Sequence, residues 1–298
     1  MTELLKPIDL TSAALEMALR AVAADWDGPV EALTCRWVTM APPDDPARWL
    51  GPVVGAWDGL CAGLHLSGIT ADRVVPPGSP AAQLATALST AACPMVVGPV
   101  AAFGRGPSLP HWHAGEAAFL VVLSCDGGFA CRVHDPRGWP GVRLGVHTLA
   151  EAAAAGGGGL LAIRSSQVEP CRPPPSRMAA EAARVSKGSE VVGSAALAGL
   201  VRLLAARPPR GRAARALAVA LPMFAGRRFQ LAGFVASGGA SSRLVDALDA
   251  QVSAAGYAGA SLAAHDDLGL VRWLSAMAEA EVDVDQEMAK LAAMEEVK

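Results

Sequence analysis

The stretch VEPCRPPPSRM at 168–178 constrains this chain more than any other segment. Its three consecutive prolines fix φ and remove three amide donors, so neither a helix interior nor a central strand runs through them. The sequence changes character there. Upstream, short apolar runs alternate with Gly/Pro turns. Downstream, helical periodicity is continuous and no strand pattern is evident. The expected architecture is therefore α+β: a mixed domain with a small antiparallel sheet over 1–170, then an all-helical domain over 171–298.

Within the first part, Thr11–Ala24 reads as a helix capped by Thr11 or Ser12, and TCRWVTM at 34–40 as a strand. Residues 55–66 and 80–92 read as helices. PMVVGPV at 94–100 is a continuous apolar run, the pattern of a buried strand. AFLVVLSC (118–125), the turn Asp126-Gly127-Gly128 and FACRVH (129–134) form a hairpin pattern. A short strand at 142–144, a helix at 148–155 and a last strand at 160–164 follow. In the second part the helical stretches are 177–185, 190–206, 211–221, 240–255, 258–277 and 283–297.

Composition excludes several classes. Hydrophobic residues are 52% of the 298, and the net charge is −3, which is too apolar and too neutral for intrinsic disorder. The near-neutral balance argues against a nucleic-acid binder, which carries a basic footprint. The longest uncharged stretch, 74–104, is broken by five prolines, so no membrane span is expected. MTELLKPIDL has Glu3 and no apolar core, so no export signal is expected and a cytoplasmic location follows. In that setting all six cysteines (35, 61, 93, 125, 131, 171) are expected to stay reduced. None has the spacing of a zinc ligand set, and neither a metal nor a cofactor is expected. The chain has four Lys against 21 Arg and is rich in Ala, Gly and Pro, a bias of GC-rich bacterial genomes.

The chain has no nucleophile elbow, P-loop, zincin or dinucleotide motif. His111 and His113 flank Trp112 on a Pro/Gly-rich loop before a strand. They are either a base at a pocket mouth or exposed loop histidines. Asp135, before Pro136, is either a carboxylate that orients a histidine or a turn residue. Cys61 reads as a small buried residue, and Cys93 lacks the electropositive setting of a reactive thiol. The arginines over 202–228 suit an acidic protein partner, a phosphate-bearing arm or a solvated face. The acidic helix over 279–296 reads as a solvated face.

The segment from Pro94 to Ala152 resembles the C39-like (papain-like) cysteine-peptidase fold, in the branch that contains the butirosin-pathway acyltransferase. A strand ends in Gly98-Pro99-Val100, a second ends in Asp135-Pro136, and Gly138, Pro140, Val142 and Leu144 fit the G-x-P-x-V-x-L tail. The second part is similar to that branch's helical domain at Gly238-Gly239, Arg243 and Trp273. The resemblance implies bacterial natural-product (antibiotic) biosynthesis, with an acyl group taken from a carrier-protein thioester and given to an amine. It places the family's aspartate on Asp135, its histidine on Ala118 and its nucleophile near Gly55. Two of those three positions lack the required side chain.

The expected site therefore groups Gly55, Trp57 and Asp58 with Phe103, Ala118, His111, His113 and Asp135. Its substrate is a small molecule or a carrier-bound acyl group, with an acyl carrier protein as the implied partner. The expected activity is acyl transfer or cyclisation without a cysteine nucleophile. The alternatives are a relocated nucleophile, Cys61 or Cys93, and a catalytically silent partner of a biosynthetic enzyme.

Overall fold

In a computed structural model of the chain the described residues are 38–39, 49–52, 71–73, 81–90, 95–99, 117–126, 130–135, 139–154, 159–163, 173–186 and 192–296. The fold is α+β. The chain divides into two compact units: Leu10–Gly28 with Ser67–Cys171, and Met1–Asp9 with Pro29–Leu66 and Arg172–Lys298. The cut at 171/172 falls within the stretch 168–178, just before its three consecutive prolines. Residues 29–66, assigned by sequence to the first domain, group with the helical unit.

The αβ unit holds six strands: β3 (Ala71–Arg73), β4 (Met95–Pro99), β5 (Ala117–Asp126), β6 (Ala130–Asp135), β7 (Trp139–Gly145) and β8 (Gly159–Ile163). Their order is β3-β8-β4-β5-β6-β7, and every pairing is antiparallel. Helices α1 (Ala81–Thr90) and α2 (Val146–Ala154) pack together, and α2 also lies on β4, β7 and β8. The period of two explains the coverage. Cys131 and Val133 on β6 are buried with Leu88, Val122, Leu149 and Leu160, while Arg132 between them faces outward.

One sequence expectation is overturned here. Cys125 and Cys131 are joined as a disulfide. The β5–β6 register, with Asp126 opposite Ala130, makes them direct cross-strand partners, with Cα atoms 4.0 Å apart. They are therefore not reduced thiols. Cys35, Cys61, Cys93 and Cys171 lie outside the described residues.

In the other unit, β1 (Val38–Thr39) pairs with β2 (Gly51–Pro52), and five helices follow. These are α3 (Pro175–Ser186), α4 (Gly193–Ala206), α5 (Gly211–Ser237), α6 (Ser242–Ala263) and α7 (Asp267–Glu296). The last of the three prolines, Pro175, opens α3, where its missing N–H has no intrahelical partner to lose. Short connections make α5, α6 and α7 antiparallel neighbours in sequence order. Gly239 turns the first corner at φ +75°, and Ser241 caps α6 by accepting from the Leu244 amide. His265, at φ +58°, turns the second, and the Asp266 carboxylate accepts from the Gly269 amide.

Three expected helix breaks move or disappear. Pro222 was read as the end of a helix, yet α5 continues to Ser237. An interior proline costs about 3 kcal/mol. Burial of Leu217, Leu221, Phe224, Leu231 and Val235 along one stripe offsets it. The stretches 258–277 and 283–297 are not separate helices: α6 runs on to Ala263 and α7 is unbroken to Glu296. The turn sits at 264–266, where the stripe of α6 ends.

Trp49 and Leu50 insert into the core formed by α4, α5, α6 and α7. Leu50 adopts φ 56°, a conformation leucine rarely takes. Its carbonyl accepts from Arg227 Nη2 at 2.6 Å, and its side chain is 1% exposed. Burial and this hydrogen bond hold a backbone that the residue disfavours.

Candidate functional site

The antiparallel order brings four strand ends to one end of the sheet. Pro99, the last residue of β4, pairs with Ala117, the first of β5. Asp135, the last residue of β6, pairs with Trp139, the first of β7. Val121 of β5 pairs with His134, so the start of β5 runs beside the end of β6. Ala118 and Asp135, the positions matched to the family histidine and aspartate, thus lie at the same sheet end. A register shift between Val133 and Asp135 marks this end of β6, as bulges do where a strand re-aims its side chains.

The other expected site residues, Gly55, Trp57, Asp58, Phe103, His111 and His113, lie outside the described residues. So do the alternative nucleophiles Cys61 and Cys93. Among the described residues no group of three His, Cys, Asp or Glu is placed to hold a metal ion. Among them, too, no helix is long and apolar enough to cross a membrane.

The helical unit contains a feature that sequence reading missed. Arg228 of α5, Gln251 of α6 and Glu281 of α7 meet in its interior, at 4%, 0% and 0% exposure. Arg228 Nη2 donates to both carboxylate oxygens of Glu281, at 2.7 and 2.9 Å. Gln251 Nε2 donates to Glu281 and to the Met277 carbonyl, the latter at 3.2 Å. The Arg228 guanidinium also lies over the Phe224 ring, 5.0 Å from its centroid. Burial pushes the Glu281 carboxyl above the ordinary carboxylate range and Asp285 adds to the rise, against the pull of Arg228 and Gln251. Gln251 Oε1 is buried with no hydrogen-bond partner among the described residues.

The spacing that places this layer is present in the sequence. Among the buried residues of α5 one stripe runs 217, 221, 224, 228, 231 and 235; on α7 one runs 270, 274, 277, 281, 284 and 288. Both step by four and three alternately, as a coiled-coil seam does. On α6 the matching series is 244, 248, 251, 255 and 258. Each stripe carries one polar residue, and the three polar residues coincide. They divide the core. Phe224, Ala255 and Met277 belong to the cluster on one side, and Leu231, Leu248 and Val284 to that on the other. Slipping any helix by a heptad places a charge against apolar side chains, so this layer fixes register.

The acidic helix is likewise not a solvated face. Asp283 pairs with Arg243, and Asp285 accepts from the Ser194 amide at the start of α4. Glu287 takes Lys290 and Ser241, and Glu295 accepts from Ser176. Four carboxylates therefore tie α7 to its own segment and to α3, α4 and the α5–α6 connection.

No protein-family model matches the chain, and no curated protein sequence matches it.

Proposed function

We propose that the αβ unit binds an activated or carrier-borne acyl intermediate and promotes acyl transfer or cyclisation at the sheet end that carries Asp135, without a covalent cysteine step. The papain-like reading of this unit is part of the proposal. The observation that carries it is the register. Pro99 and Ala117 pair at the same sheet end as Asp135 and Trp139. The segment 100–116, with His111 and His113, joins Pro99 to Ala117 in sequence, and His113 precedes Ala117 by four residues. At about 3.5 Å per residue, chain connectivity keeps His113 within about 14 Å of the β5 start.

In the proposed step an amine or hydroxyl group adds to the thioester carbonyl. His113 takes the proton from the attacking group and delivers it to the departing thiolate as the C–S bond breaks, so that it leaves as the free thiol. Asp135 orients the imidazole. Holding the two reactants together supplies several kcal/mol of barrier reduction even where no acyl-enzyme forms. This sits in bacterial natural-product biosynthesis, with an acyl carrier protein or a small thioester as donor.

Turnover of a small acyl thioester with an amine acceptor tests the reading. His113→Ala and Asp135→Ala are each expected to lower turnover at least about tenfold, as loss of a general base or its orienting group does. Cys61→Ala and Cys93→Ala are expected to leave it unchanged. Unchanged rates in both former variants, or loss in either cysteine variant, overturns the assignment.

A further inference from the structure

Residues 191–245 contain eight arginines and no aspartate or glutamate. Three are spent inside the unit: Arg210 on Asp267, Arg228 on Glu281 and Arg243 on Asp283. Arg227 reaches the Leu50 carbonyl. Arg202, Arg207 and Arg215 are exposed and have no carboxylate partner among the described residues. They lie within about a turn and a half of the connection between α4 and α5.

The two pairs Arg210 Nη1–Asp267 Oδ1 (2.9 Å) and Arg210 Nη2–Asp267 Oδ2 (2.6 Å) tie this connection to the start of α7. There the surface turns apolar. Leu268, next to Asp267, is 86% exposed, and Tyr257 is 56% exposed. Tyr257 stacks on Trp273 with centroids 4.5 Å apart, and the Arg272 guanidinium lies 5.3 Å from the Trp273 centroid. Arginines without a carboxylate partner among the described residues, an exposed leucine and an aromatic pair thus all lie toward the end of the helical unit where Arg210 meets Asp267.

We infer that this end docks an acidic amphipathic helix of a partner protein, with its carboxylates on Arg202, Arg207 and Arg215 and its apolar stripe against Leu268 and the Tyr257–Trp273 pair. Charge complementarity selects an anionic partner. A second copy of this chain does not supply one readily, because most carboxylates of α7 are already engaged internally. Single-stranded nucleic acid needs free aromatic faces for its bases. Here Trp273 already carries Tyr257 and Arg272. The inference concerns the helical unit and holds whatever chemistry the sheet end performs.

The test is fluorescence anisotropy on the full chain. The probe is a labelled helical peptide with leucines along one stripe and glutamates elsewhere. Saturable binding is expected, weakening as salt rises. The triple variant Arg202→Glu, Arg207→Glu, Arg215→Glu is expected to weaken it by at least about tenfold. Leu268→Ser is expected to weaken it several-fold. All four substituted positions are exposed, and matching thermal melts establish that the variants fold. The inference fails if the peptide does not bind at low salt or if the triple variant binds it as well. It also fails if a leucine-free glutamate peptide or a single-stranded oligonucleotide binds equally tightly.

Discussion

Truncating Glu281 to alanine removes the carboxylate partner of Arg228, a residue only 4% exposed whose guanidinium also lies over the Phe224 ring. Both of its donor contacts to Glu281 disappear, as does one of the two made by Gln251 Nε2. Stranding a buried charge in this way costs about 3–5 kcal/mol. That is about a fifth or more of a typical domain's total of about 5–15 kcal/mol. Removing the whole layer is a different perturbation. Arg228→Met, Gln251→Leu and Glu281→Leu together leave no orphaned polar group, and such replacements run from neutral to about 1–4 kcal/mol stabilising. The triple variant loses its register signal, however, so its helices pair less uniquely. Urea denaturation followed by circular dichroism reads both effects, with a shift in midpoint at constant slope reporting stability. A Glu281→Ala midpoint equivalent to less than about 1 kcal/mol of loss refutes the buried pair, since that is the range of an exposed one.

Three further outcomes follow from local geometry. Gly193 sits at φ +58°, and an added Cβ meets Asp285 Oδ1 at 2.5 Å, so Gly193→Ala is expected to destabilise by at least about 1–2 kcal/mol in a thermal melt. An unchanged melting temperature contradicts this. The Cys125–Cys131 bridge closes a short loop, for which chain entropy gives about 2 kcal/mol, so reductant is expected to lower the melting temperature of the αβ unit. Alkylation of both thiols in the native, unreduced protein contradicts the bridge. Hydrogen bonds from Arg210 hold the Asp267 carboxyl below the usual carboxylate range, and those from Lys290 and Ser241 do the same for Glu287. Their folded values lie under their unfolded ones, so their contribution is complete above about pH 4 and is lost as pH falls through the folded values. Asp267→Asn with Glu287→Gln is expected to flatten the acid limb of a pH–stability curve. Glu281, raised by burial, runs the other way: its contribution is present at low pH and is lost as pH rises through its folded value. An acid limb unchanged in the double variant contradicts the assignment.

The hairpin and the strands around it were legible because each is short, alternates or runs apolar, and is bounded by Gly or Pro. The strands expected at 94–100, 118–125, 129–134 and 160–164 differ from β4, β5, β6 and β8 by a residue or so at each end. The helical half was legible as helical but not in its division. Pro222 and Gly256 are strong local breakers, yet a buried stripe carries α5 and α6 through them. The polar layer was obscured for a related reason. Glu281 sits among acidic neighbours that make its stretch look solvated, and only its step from Met277 and to Val284 marks it as interior. The disulfide escaped because compartment, not spacing, decided the reading of the cysteines. At the sheet end, Asp135 is a candidate from its Asp-Pro context and the resemblance. The sequence does not state that Pro99, Ala117 and Trp139 lie beside it; strand order supplies that.

Acyl-thioester turnover at the sheet end without an acyl-enzyme, as proposed, leaves the protein itself unmodified. Intact-mass spectrometry of the protein, quenched during turnover of an acyl thioester with an amine, measures this directly. The expected result is amide product with the protein at its unmodified mass. A protein heavier by one acyl group, with the adduct mapped to Cys61 or Cys93, contradicts it.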